Sequence, residues 1–219
     1  TEMSTHDSHS NLYNLAHWDP VHYINITLVR NTCLYGDCSV AGYATMGINH
    51  GFPGDGIVMN AENFGSSPQN GVVIIHEMGH YLGLFHTFNQ GCLNNNCLQD
   101  GDRVCDTPPD NISSLLPCNG VYNSCSTDPV DPLPQNPFRA LALGGLGDQP
   151  DMHQNYMDYS PYACLDRFSQ GQAVRMQFII ENVRTPLLKS KACLPPCPNK
   201  TIAQFTIDQD TIEAGGTVS

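Results

Sequence analysis

Short alternating runs come first along the chain. Tyr23–Val29 alternates apolar and polar positions and is rich in β-branched residues, which predicts a strand. Ala41–Met46 and Gly56–Asn60 predict two more. The period then changes. Val72, Ile75, Gly79 and Leu82 stand at i, i+3, i+7 and i+10, one apolar stripe of a helix that opens at Asn70 or Gly71. Residues 87–167 show little periodicity and many Gly, Pro, Asn, Asp and Cys, so a connection that long must be pinned by something. Ser169-Gln170-Gly171-Gln172 has the form of a capping box. It opens a helix with Ala173, Met176, Ile180 and Val183 on one face, ended by Pro186. Residues 1–19 are polar, with a weak helical stretch at 12–16. The pattern is α+β: a mixed twisted sheet, a central helix, a long loop region and a C-terminal helix.

Past residue 192 the character shifts. Leu194-Pro195-Pro196-Cys197-Pro198 reads as a rigid linker over 193–200. Ile202, Phe205 and Ile207 then begin a strand-like pattern in 201–219, too short to fold alone. The expected division is a main domain at 1–192, the linker, and the start of a truncated β-sandwich module. The formal charge of −12, from 9 Lys+Arg against 21 Asp+Glu, argues against nucleic acid or an anionic membrane as a partner. No apolar run reaches eighteen residues, so no membrane-spanning helix is expected. Ten Cys in a loop-rich chain imply disulfides and an oxidising, secreted setting. Cys33/Cys38 and Cys193/Cys197 stand close enough to close local loops.

The predicted central helix carries the chemistry. His76-Glu77-Met78-Gly79-His80-Tyr81-Leu82-Gly83-Leu84-Phe85-His86 reads H-E-x-x-H-x-x-G-x-x-H. His76 and His80 fall one turn apart on one helix face and can meet one zinc ion. Glu77 is offset from that face, suited to take a proton from an activated water without ligating the metal. Gly83 can adopt positive φ and end the helix, which returns His86 as third ligand. Three protein ligands leave a fourth position open, the pattern of a catalytic site. With a downstream Met-turn this extended motif is the metzincin signature. The remaining histidines, among them His50 and His153, show no ligand spacing.

The segment HEMGHYLGLFHTF at 76–88 resembles the zinc helix of the pappalysin branch of the metzincin peptidases. The resemblance extends to Gly101-Asp102-Arg103-Val104-Cys105-Asp106-Thr107-Pro108, to Asn155-Tyr156-Met157-Asp158-Tyr159-Ser160, to Ala163-Cys164 and to Phe168–Gln172. It also reaches back to Asp55–Met59 and Phe64-Gly65. It implies a secreted zinc endopeptidase of metzincin-like fold, acting on polypeptides through a zinc-activated water with Glu77 as general base. It implies Met157 as a hydrophobic floor and Tyr159 as a group that helps hold the oxyanion; the alternative for Tyr159 is a packed aromatic. It implies peptide binding along the edge formed by Gly42, Tyr43, Ala44, Thr45 and Met46, a pocket bordered by Tyr162, and a Cys118–Cys164 disulfide. It implies calcium at Asp102, Asp106 and Thr107, where Asp100 and Asp110 add to the density of hard oxygen ligands. The competing reading of that loop is a solvated acidic turn. The tail at 201–219 resembles the opening of a polycystic-kidney-disease or immunoglobulin-like module.

Two features depart from relatives of this kind. Only 75 residues precede His76, so the N-terminal subdomain is either compact or partly outside this chain. Arginine-cleaving relatives place an aspartate after the Met-turn, whereas Ser160-Pro161-Tyr162-Ala163 has no acid, which argues against a demand for arginine. A monomer is expected, and a function of another class also fits the motif: a binding or adhesion protein with a peptidase-like fold around a structural zinc. Glu77 favours the enzyme, since a binding protein has no use for a general base.

Overall fold

The computed structural model describes residues 17–34, 37–65, 67–111, 117–126 and 128–190. The expected helix at 12–16, the linker, the β-like tail and the Cys193/Cys197 pair lie outside them. Three strands, β1 (Ile26–Val29), β2 (Gly42–Ala44) and β3 (Ile57–Asn60), combine with two α-helices, α1 (Pro68–Tyr81) and α2 (Gln170–Asn182), and several 3-10 turns. The sheet order is β1-β3-β2. β1 runs parallel to β3 with Ile26 opposite Ile57, and β2 runs antiparallel with Tyr43 opposite Val58. β2 is therefore an outer strand.

Each strand is shorter than its sequence signal, because polar side chains take over at the ends. Asn25 turns back on Trp18, accepting its N–H at 2.9 Å and donating to its carbonyl at 3.0 Å. Thr45 donates its hydroxyl to Asp55 at 2.6 Å and accepts the Gly56 N–H at 2.9 Å. Such local side-chain bonds compete with ladder pairing.

α1 begins at Pro68, earlier than the apolar stripe implies. Proline suits a first turn because its missing N–H has no intrahelical partner to lose. The helix is buried on more than the one predicted stripe. Val73 and Tyr81 pack with Ile57 and Met59 as the core, while Ile75 and Leu82 are only half-buried. Gly79 faces away from the sheet, towards Met157. Each fully buried side chain of this kind contributes about 1.5–3 kcal/mol.

α2 is opened by the expected capping box, with Ser169 and Gln172 bonding reciprocally. Its inward face differs by position: Ala173 is exposed, and Ile179 fills the space over Gly47 and Gly83. Arg175 donates to the Gly83 carbonyl at 2.7 Å and Asn155 donates to Gln172 at 2.8 Å, which fixes that rotation. The helix ends at Asn182, and Pro186 falls in the 3-10 turn that follows.

Four disulfides join described residues. Cys118–Cys164 is present, as is Cys33–Cys38, and two further bridges, Cys92–Cys125 and Cys97–Cys105, pin the long connection. In the chain-entropy view the 46-residue separation of Cys118 and Cys164 gives the largest stabilisation, about 4 kcal/mol.

Beyond α2 the fully buried Arg184 donates to Tyr81 O at 2.9 Å, Asp55 Oδ2 at 2.6 Å and Thr45 O at 3.3 Å, and lies 3.4 Å over the Tyr81 ring. Burial raises the Asp55 carboxyl, but hydrogen bonds from Arg184, Thr45 and Gly51 outweigh it and hold the pKa below its ordinary value. A depressed carboxylate stabilises the fold above its unfolded pKa, and that contribution is lost as pH falls through the folded value. Asp55→Ala strands a buried guanidinium and is expected to cost about 3–5 kcal/mol. Urea denaturation of mutant and wild type across the acid range checks both the loss and its fading at low pH.

Candidate metal and catalytic site

The Nε2 atoms of His76 and His86 lie 3.2 Å apart, and those of His80 and His86 lie 2.9 Å apart. Tetrahedral zinc with bonds of 2.0–2.1 Å requires roughly 3.3 Å between nitrogens, so the donor set fits that ion. This is the one group of three or more His, Cys, Asp or Glu among the described residues whose ligand atoms converge closely enough to hold a metal ion. α1 supplies His76 and His80. Gly83, at φ +86°, breaks the helix and turns the chain so that His86 arrives from outside it.

The second nitrogen of two of these rings is occupied by backbone. His76 Nδ1–H donates to Tyr156 O at 2.6 Å and His80 Nδ1–H to Leu84 O at 2.9 Å. That leaves Nε2 bare as a lone-pair donor. Burial first, then the His80 charge, pushes His76 down to about 4. Burial lowers His80. Burial with the His80 and His76 charges takes His86 to about 2. All three are neutral at working pH, the form that ligates. Phe88 stacks on His86 at 4.6 Å between centroids and steadies that ring, for which no backbone acceptor occurs among the described residues. Phe88 closes the 76–88 segment that carries the resemblance, although the spacing alone gives it no role.

Glu77 is buried with no hydrogen-bond partner at Oε2, and burial pushes its carboxyl up to about 8. A carboxyl in that range can gain and lose a proton near neutrality. Gly42 of β2 sits so close that a Cβ there would stand 3.1 Å from Glu77 Cγ. Of the five expected edge residues Gly42 alone lines the cleft. Tyr43 is buried, Ala44 packs on the core, Thr45 serves the Asp55 network, and Met46 leads into a 3-10 turn.

Met157 is fully buried beneath α1, where a Cβ on Gly79 would overlap its sulfur. Its N–H donates to Asn155 Oδ1 at 2.9 Å and its carbonyl accepts the Thr87 N–H at 3.1 Å, which ties this turn to the strand of chain leaving His86. The Tyr159 ring is 4.7 Å from His86 and 5.8 Å from His76, half-exposed. Burial, then the Glu77 charge, raises its phenol, so it remains a hydrogen-bond donor.

A cleft of about 360 Å³ opens beside His76 and Glu77. Tyr162 lines it, as do Val40, Val72, Val73 and Leu165. Two acids line it as well, Asp37 and Asp158, although none occurs at 160–163. Asp166 does not reach it; that residue pairs with Arg167 at the surface, at 2.5 Å.

The acidic loop is divided. Asp102 accepts from Thr107 and from Val104 N–H, and burial pushes its carboxyl up to about 7. Asp102 and Thr107 both border a small cavity of about 20 Å³ with Asp100 and Thr87. Asp106 points elsewhere. It accepts from Ser169 Oγ and Gly171 N–H at 2.8 Å each, at the start of α2, and does not border that cavity. Asp110 is bonded to Thr87 and Ser124.

The Gly79–Met157 contact is sharp enough to test. Gly79→Ala forces the floor beneath the histidines to move and is expected to cost about 1–3 kcal/mol. Zinc affinity should fall with it, measured by competition with a chromophoric chelator.

Comparison with known proteins gives a consistent picture. The Peptidase_M43 family, described as pregnancy-associated plasma protein-A, matches residues 7–181. An extracellular metalloprotease of Arthroderma gypseum is 37% identical over 129 residues, 57% of this chain and 36% of the relative. Extracellular metalloprotease 1 of Coccidioides posadasii is 37% identical over 106 residues, 48% of this chain and 29% of the relative. Among solved structures, mature mirolysin of Tannerella forsythia in complex with a cleaved peptide matches at TM-score 0.58 and 26% identity. That match covers 85% of this chain and 65% of mirolysin. The chain thus spans roughly a third of the length of these extracellular relatives.

Proposed function

Because this chain belongs to the Peptidase_M43 family of pregnancy-associated plasma protein-A, we propose that it is a secreted zinc endopeptidase. The observation that carries the reading is three neutral imidazole nitrogens converging beside a buried Glu77, whose Oε2 has no hydrogen-bond partner, in the wall of the cleft. The extracellular relatives support secretion, and the cleaved peptide in the mirolysin complex supports a polypeptide substrate. No helix among the described residues is long and apolar enough to cross a membrane.

His76, His80 and His86 hold the metal. When bound, zinc supplies positive charge that polarises a carbonyl and acidifies a water. The outer edge of β2 receives the substrate as an added strand. Its passage against Glu77 at Gly42 brings the scissile bond to the carboxylate. Glu77 takes the proton from the attacking water at the free Oε2 and passes it to the leaving amine. The protonated phenol of Tyr159, beside His76 and His86, donates to the developing oxyanion. Met157 closes the floor.

Glu77→Ala should retain zinc and lose peptide cleavage, by a factor of about 10²–10⁴ expected for a missing general base. His86→Ala should lose both. Metal analysis beside mass spectrometry of a digested peptide library, with and without chelator, reads the two together. Zinc retained by the wild type with no cut peptide would favour a binding protein.

Calcium is the second proposed cation, at Asp102 and Thr107 with Asp106 left aside. Two oxygen donors share a small buried cavity there, and a cation would relieve the cost of burying the Asp102 charge. Calcium at a hundred times its Kd should then stabilise by about 2.7 kcal/mol. Thermal unfolding of wild type and Asp102→Asn, with and without calcium, is the measurement; equal curves in all four samples leave the loop as an acidic turn.

A further inference from the structure

The turn that delivers the third histidine is held from outside the metal site. Taking His76, His80 and His86 as the zinc ligands, as proposed above, we infer that Arg175 on α2 is a positioning residue for them. Its guanidinium fixes the turn at Gly83–Phe85 and, through that turn, the approach of His86 to the ion.

His86 differs from the other two ligands. His76 and His80 each donate Nδ1–H to a backbone carbonyl, whereas His86 Nδ1 meets none among the described residues. Its place follows from the chain that brings it and from the Phe88 ring stacked on it. That chain leaves α1 through Gly83, whose N–H donates to His80 O at 2.9 Å, and Leu84, whose N–H donates to Gly79 O at 2.9 Å. The Gly83 carbonyl belongs to the set left over at a helix C-terminus. The N–H four residues on, that of Thr87, is turned to Met157 O instead. The next carbonyl, Leu84 O, is the one that accepts from His80. One turn therefore sets the direction of two of the three imidazoles.

Arg175 closes this turn. Its Nε donates to Gly83 O at 2.7 Å, and its Nη1 donates to Arg103 O at 3.4 Å. Its guanidinium carbon lies 5.5 Å from the centre of the ring of Phe85, the neighbour of His86, and that of Arg103 lies 4.8 Å from the same ring. Ile179, one helical turn along α2, fills the space over Gly83, where a Cβ would stand 2.8 Å from Ile179 Cγ1. The turn is thus gripped between α2 and the loop of Arg103. A cation is also favoured at this end of α1 by the helix dipole. A planar fork can bridge two carbonyls while it lies against a ring, and a lysine ammonium cannot do all three.

The test reads the metal as well as cleavage. Zinc affinity is measured by competition with a chromophoric chelator, and ligand geometry by the visible absorption of the cobalt(II)-substituted protein. Arg175→Met keeps an aliphatic stem and removes the donors. It should weaken zinc by about 10- to 100-fold, the range for loss of an outer partner of a metal ligand, and should alter the cobalt band. At saturating zinc, kcat for a peptide should fall with KM nearly unchanged, because Arg175 does not line the cleft. Arg175→Lys should fall between wild type and Arg175→Met. A role confined to the stability of α2 lowers the melting temperature of the metal-free protein and leaves the zinc Kd and the cobalt spectrum as in wild type; that result overturns the inference. If Arg175→Met does not fold, Arg175→Lys decides, and a zinc Kd and cobalt spectrum equal to those of wild type overturn it. Wild-type protein that binds no zinc would instead overturn the ligand assignment itself.

Discussion

The guanidinium of Arg184 is the point at which the described structure is tied. It reaches the last residue of α1, the far end of β2 and the turn carrying Asp55, from a position just after α2. The same four segments also meet in the small core cluster, where Tyr81 and Ile57 pack with Ala44 and Leu187. A small sheet of three short strands supports few ladder bonds, so the relative placement of α1 and β2 cannot come from the sheet alone. A charged, directional group does what a larger apolar core does in bigger domains. The distance between Glu77 and the β2 backbone, and with it the width of the cleft, follows from that placement.

A second chain of polar contacts holds the far wall. Asp106 caps α2 through Ser169 and Gly171, Gln172 completes the capping box, and Asn155 joins Gln172 to the turn that carries Met157. The cap of one helix therefore sets the height of the floor under the histidines. Tyr156 O continues the line to His76 Nδ1. A substitution at the surface-facing end of this chain acts on the metal site through four hydrogen-bonded partners and no apolar contact.

The sequence carried the metal site almost whole, because its three ligands and base fall within eleven residues: helix periodicity fixes His76, Glu77 and His80, and the turn at Gly83 returns His86. The capping box of α2 was legible for the same reason. What local pattern could not give was any contact between distant polar residues. Asp106 stands in a cluster of acids suited to calcium, yet its spacing held no hint that α2 would present the Gly171 N–H to it 65 residues away. Ala173 and Ile179 exchanged roles because Arg175 and Gln172 found partners that rotate the helix face. The strands were overread at residues whose side chains, Asn25 and Thr45, close local bonds. Asp37 carries no signal in the sequence, since nothing in the chain announces which loop will line a cleft, although the Cys33–Cys38 spacing offers that loop a local bridge.

The turn at Gly83 separates two kinds of assembly. The three imidazoles come together through contacts between near neighbours, whereas Met157, Tyr159 and Leu165 must travel back across some seventy residues to meet them. Closing a loop of that length carries an entropy that local helix formation does not. Metal capture and cleft completion are therefore governed by different free energies, one set by ligand geometry and one by the connectivity of the 87–167 region. The disulfides of the 87–167 region therefore bear on the floor and walls that orient a peptide more than on the local spacing of the three imidazoles.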